Sequence, residues 1–118
     1  MATGAGLVAK PVCTWQVKFI LTEMKILALE REINGADWND AETLLEQEAH
    51  HVFQLYLNDH LREIYFTENK TAVLILETEN QAAAEHLLNQ LPLVKAGKIR
   101  FEVMMLKPYT GYTRIIQN

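Results

Sequence analysis

The chain has one cysteine, Cys13, so neither an internal disulfide framework nor a multi-cysteine metal site is available to it. No activating base stands beside Cys13 in the sequence, and it reads as a bystander thiol. No apolar run approaches the length needed to cross a bilayer. Residues 1–12 lack a sustained apolar core, which makes them a poor signal peptide. The eleven Lys and Arg are dispersed without a basic run, and the net charge is −4. Nothing in that balance favours nucleic acid. P-loop, GxGxxG, GxSxG and HExxH patterns are all missing, so nucleotide cofactors and serine hydrolysis are not expected. These absences leave a single cytoplasmic domain that binds no membrane, no nucleic acid and no cofactor. With 118 residues and 49% hydrophobic content, it is long enough to bury a core.

What is present is a sequence of alternating and helical segments. Trp15-Gln16-Val17-Lys18-Phe19-Ile20-Leu21-Thr22 starts with alternation and predicts a first strand after an N-terminal arm at residues 1–14. Residues 23–34 favour a helix by propensity, yet also suit continuation of the strand, before Asn34-Gly35 breaks the pattern. Asn39-Asp40-Ala41-Glu42 has capping-box spacing. From there Ala41, Leu44, Leu45, Ala49, Val52, Phe53, Tyr56 and Leu57 recur at helical spacing, predicting a long amphipathic helix that ends near residues 58–60. Strands are expected at 61–67 and 71–78 around a Glu68-Asn69-Lys70 turn. A second helix is expected over 81–90, interrupted or restarted at Pro92 and closed at Gly97. A fourth strand, Ile99-Arg100-Phe101-Glu102-Val103-Met104-Met105-Leu106, leads into the Pro108–Gly111 turn and a β-prone tail at 112–116.

Strand, helix, strand, strand, helix, strand is the split βαβ order of a ferredoxin-like α+β sandwich built on a four-stranded antiparallel sheet. Two helices cover one sheet face only. The third and fourth strands are apolar at both parities, so the opposite face requires a second cover. The economical cover is a second copy of the chain, with the 112–116 tail pairing with the partner. Residues 15–118 would then form half of a dimeric α/β barrel.

Leu91-Pro92-Leu93-Val94-Lys95-Ala96-Gly97, then Phe101-Glu102-Val103, Leu106 and Pro108-Tyr109-Thr110-Gly111-Tyr112, resemble the C-terminal part of small muconolactone isomerase-like proteins of the dimeric α/β-barrel superfamily. Arg62-Glu63-Ile64-Tyr65 and Val73-Leu74-Ile75-Leu76-Glu77 are similar as well. The resemblance spans residues 15–116 and implies the fold and the homodimer. It does not select a reaction, because the superfamily contains isomerases, cofactor-free oxygenases, dehydratases, cyclases and proteins without known activity.

The candidate chemistry lies on the sheet face beneath the helices. A pocket there is expected to collect Lys18, Arg62 or Glu63, Tyr65, Glu77 and Glu102, with Met104 and Tyr109 as further substrate contacts. A carboxylate in an apolar pocket titrates nearer neutrality and serves as base or acid. Cross-strand ion pairing is the alternative for Lys18, Glu77 and Glu102. His50 and His51 on the long helix point about 100° apart, so one of them at most faces the pocket. His51 is nearer the apolar edge, and either histidine or Glu77 is a candidate base, with Tyr65 or Arg62 stabilising an oxyanion. Glu48-x-x-His51 has metal-ligand spacing, but one pair makes no metal site. The expected activity is cofactor-free proton transfer (isomerisation, cyclisation or elimination) on a small apolar carbonyl or lactone compound. The alternatives are cofactor-free oxygenation of an aromatic or polyketide-type substrate and a non-catalytic ligand-binding dimer.

Overall fold

The computed structural model describes residues 23–116. The expected 15–22 strand, Lys18 and the 1–14 arm lie outside the described residues. The elements are β1 (Met24–Glu32), α1 (Glu42–Leu57), β2 (Leu61–Phe66), β3 (Ala72–Thr78), α2 (Gln81–Asn89), α3 (Pro92–Lys95) and β4 (Ile99–Leu106). A short 3₁₀ turn, Gly111–Arg114, follows. The strands form one open antiparallel sheet in the order β2-β3-β1-β4, an α+β arrangement with the split βαβ connection.

β1 is a strand although Met24, Ile26, Leu27, Ala28 and Leu29 are good helix formers. It is hydrogen-bonded to β3 on one side and β4 on the other, and that ladder overrides local propensity. Of the two alternatives for residues 23–34, the strand is therefore correct. Its pairing sets two rows across the covered face. Leu61 stands opposite Leu76, Leu76 opposite Ile26, and Ile26 opposite Met105; Ile64, Leu74, Ala28 and Val103 make the parallel row. Ile26, Ala28 and Leu76 are wholly inaccessible to solvent. Ala84 and Leu88 of α2 and Leu91 close over them.

α2 begins where Asn80 Oδ1 accepts the Ala83 N–H at 2.7 Å, and it packs on β1, β3 and β4. Pro92 starts α3 at its first helical position, where its missing N–H costs no bond. Gly97, at φ 76°, turns the chain into β4. α1 starts differently from expectation. Asp40 adopts φ 55°, and Asp37 Oδ1 accepts the Asn39 N–H, so Ala41 becomes an N-cap without a side-chain bond. α1 packs on β2 and α3, and of its residues only Leu55 is fully buried.

Two further features depart from simple strand alternation and from the β-prone reading of the tail. The β2–β3 pairing shifts between Leu61 and Glu63, and this irregularity turns Arg62 away from Ile64 and Phe66. Residues 112–116 do not form a strand: Thr110 O accepts the Thr113 N–H and Tyr112 O accepts the Ile115 N–H in a 3₁₀ turn, and the Tyr109 ring meets Tyr112 edge-on at 4.9 Å. The Tyr109 ring lies over Gly111, where a Cβ would displace it.

Two substitutions report on this framework in urea unfolding. Leu76→Ala empties part of the core and is expected to cost about 3 kcal/mol. Asn80→Ala removes the α2 cap and is expected to cost about 1 kcal/mol.

Candidate functional site

The covered face of the sheet is not filled along its whole length. Past Ala28, the next inward residues of β1 are Glu30 and Glu32, and α1 rises over them without closing on them. The result is a cleft of about 1260 Å³ between α1 and the sheet. Its wall is mainly apolar: Leu45, Ala49, Val52 and Phe53 come from α1, Ile64 and Phe66 from β2, Leu74 from β3 and Phe101 from β4. Several of these are unusually open for their type, with Phe66 74% and Phe53 54% exposed. A concave apolar surface holding a few fixed polar groups is the usual form of a small-molecule site.

Three carboxylates supply the polar groups, and each is held by a neutral donor. Glu30 Oε1 accepts the Ala72 N–H at 2.8 Å. Glu32 Oε2 accepts Trp38 Nε1–H at 2.8 Å. Glu48 Oε1 accepts the Leu93 N–H at 2.9 Å, tying α1 to α3. Burial pushes the Glu48 carboxyl above the ordinary glutamate range; the Leu93 N–H and His51 oppose that shift, and the charge of Glu30 adds to it. Tyr56 and Lys70 also line the cleft.

The expected site residues fall elsewhere. His50 and His51 are exposed and do not line the cleft; His51 acts on it only through its charge near Glu48. Glu77, Arg62, Glu63, Tyr65, Glu102 and Met104 belong to the other, open face of the sheet. The register decides this: Glu63 stands opposite Ile75, Met104 opposite Leu27 and Glu102 opposite Leu29, whereas the inward rows carry Leu74, Leu76, Ile26 and Ala28. On the open face Arg62 Nε donates to Glu77 Oε1 at 2.6 Å, with Lys25 Nζ 3.9 Å from the same carboxylate. Arg31 Nη2 lies 2.8 Å from Glu102 Oε1. Glu77 and Glu102 thus take the ion-pair alternative, with Lys25, Arg62 and Arg31 as partners. Tyr65 donates its hydroxyl to Glu63 at 2.8 Å, and that bond raises the phenol above its usual range. Tyr109 sits in the exposed tail, 74% accessible. Among the described residues no group of three or more His, Cys, Asp or Glu is placed to hold a metal.

No protein-family model matches the chain, and no curated protein matches it. The site therefore stands on its geometry. Glu48 was legible as a carboxylate within the apolar stripe of α1, between Leu44 or Leu45 and Val52. Glu30 and Glu32 were not, because their inward direction depends on which parity of β1 faces the helices.

The raised Glu48 carboxyl sets a pH dependence. Below the unfolded value near 4.5 the group is protonated in both states and imposes no penalty. As pH rises through the higher folded value, the fold must hold a charge that burial disfavours, so this contribution to stability is lost. Glu48→Gln keeps an acceptor for the Leu93 N–H and removes that loss. Its stability relative to the unsubstituted protein is expected to rise between pH 4.5 and neutrality in urea titrations. Carbon-detected NMR should place the Glu48 midpoint above that of exposed glutamates.

Proposed function

We propose that the protein is a cofactor-free proton-transfer enzyme acting on a small, largely apolar carbonyl or lactone compound in the cleft. The observation that supports this most is Glu48: a carboxylate of raised proton affinity in an apolar concavity, oriented through one oxygen by the Leu93 N–H. Its other oxygen is left to accept a proton from the carbon beside a carbonyl. A base titrating closer to neutrality makes that transfer more effective. The donors available for the developing oxyanion are the Tyr56 hydroxyl and the Lys70 ammonium, which line the same cleft. Glu48 takes the role first expected of His51, His50 or Glu77.

The working unit is a homodimer that closes sheet against sheet into an α/β barrel. Support comes from the open face, where Leu27, Leu29, Val73 and Ile75 form an apolar centre, with Met104 43% and Leu106 39% exposed. Four strands about 4.8 Å apart and about 25 Å long cover roughly 500 Å². A typical stable interface buries about 800 Å² per partner, so the sheet needs an additional contact. The tail supplies it: Tyr112, Ile115 and Ile116 are more than 60% exposed on their own subunit.

Deuterium wash-in from heavy water into unsaturated lactones and β-keto compounds, followed by NMR, tests the chemistry. Exchange is expected with the native protein and a loss of about a hundredfold or more with Glu48→Gln. Absence of exchange across the panel contradicts the enzyme reading, and binding without exchange makes the protein a carrier. Light scattering tests the assembly. Twice the chain mass is expected at micromolar concentration, and Ile75→Glu should give the single-chain mass.

A further inference from the structure

The charge of the cleft goes beyond what a proton transfer needs. Glu30, Glu32 and Glu48 line it, and Lys70, on the exposed turn between β2 and β3, is the one cation among the lining residues. With all three carboxylates ionised, the balance is three negative charges against one positive. The open face is arranged in the opposite way. There Glu77 is paired with Arg62 and Lys25, and Glu102 with Arg31. Among the described residues none of the cleft carboxylates makes such a pair; each is bound by a neutral N–H instead. The same chain therefore matches Glu77 and Glu102 with cations on one face of the sheet and leaves Glu30, Glu32 and Glu48 without an ion pair inside a large concave site on the other. Carboxylates in an apolar concavity focus a field that draws in cations and repels anions. Trp38, Phe53, Tyr56, Phe66 and Phe101 surround them with aromatic groups, which favour an alkylammonium in an apolar setting.

We propose that the cleft takes a lipophilic molecule bearing a basic nitrogen, whose ammonium lies against Glu30 and Glu32, leaving Glu48 free as the base, while its apolar body fills the space between Phe53, Phe66 and Phe101. The cavity makes the site, and the unpaired carboxylates select its ligand. This rests on the reading of the cleft as the ligand site and narrows the substrate to carbonyl compounds that carry an amine. It disfavours carboxylate substrates, which would bring a fourth negative charge among the three.

Three probes with one skeleton test it by calorimetry on the full chain: naphthylethylamine, naphthylethanol and naphthylacetate. The amine is expected to bind about tenfold or more tightly than the acetate, with the alcohol between them. That preference should vanish in the Glu30→Gln, Glu32→Gln double variant while the alcohol still binds, a control for folding. Acetate binding as tightly as amine overturns the charge selection and leaves the cleft standing as a ligand site. Failure of all three probes overturns both readings. If NMR then shows contacts from residues 1–22 to Phe53 or Phe66, the occupant is the chain's own N-terminal segment.

Discussion

Everything described above depends on the position of β1 between β3 and β4. Antiparallel pairing on both sides fixes which of its side chains point toward the helices, and a one-residue slip would exchange the two faces completely. The inward set begins with Ile26 and Ala28, sealed beneath α2, and continues to Glu30 and Glu32. One strand therefore carries the core at one end and the acids of the cleft at the other. The change occurs where α2 no longer covers the sheet and α1, held through β2 and α3, takes over without filling the space beneath it.

The two faces of the sheet put the same residue types to different uses. On the covered face, the carboxylates are held by single N–H donors rather than by ion pairs, which leaves them open to a ligand, and burial raises the proton affinity of Glu48. On the open face, Glu77 and Glu102 are matched to Arg and Lys around an apolar centre. Such surface pairs add little stability by themselves. Their larger effect is on orientation and selectivity when another surface approaches.

Much of the framework could be read from residue order. The helical spacing from Ala41 to Leu57, Pro92 and Gly97 are local signals, and each marks a real boundary. The strand at residues 24–32 was ambiguous because its side chains favour a helix until two neighbours supply a ladder. The site was harder to read for a related reason. Which face Glu77, Glu102 or Glu30 occupies depends on register with a distant strand, and Arg62 changes side through a single pairing shift. Two adjacent histidines attract attention in a sequence. Glu48, an ordinary residue within an apolar stripe, becomes distinctive only when the sheet stands opposite it.

The pairing shift between Leu61 and Glu63 has a consequence for how copies of this chain can meet. β2 is an outer strand, and an outer strand with a regular row of free N–H and C=O groups invites another strand to add alongside. Here the row is broken near its start, and Arg62 and Glu63 fall one after the other at the break. An incoming strand in ordinary register would find its donors and acceptors out of step. The irregularity that removes Arg62 from the covered face thus also guards that edge against runaway strand addition.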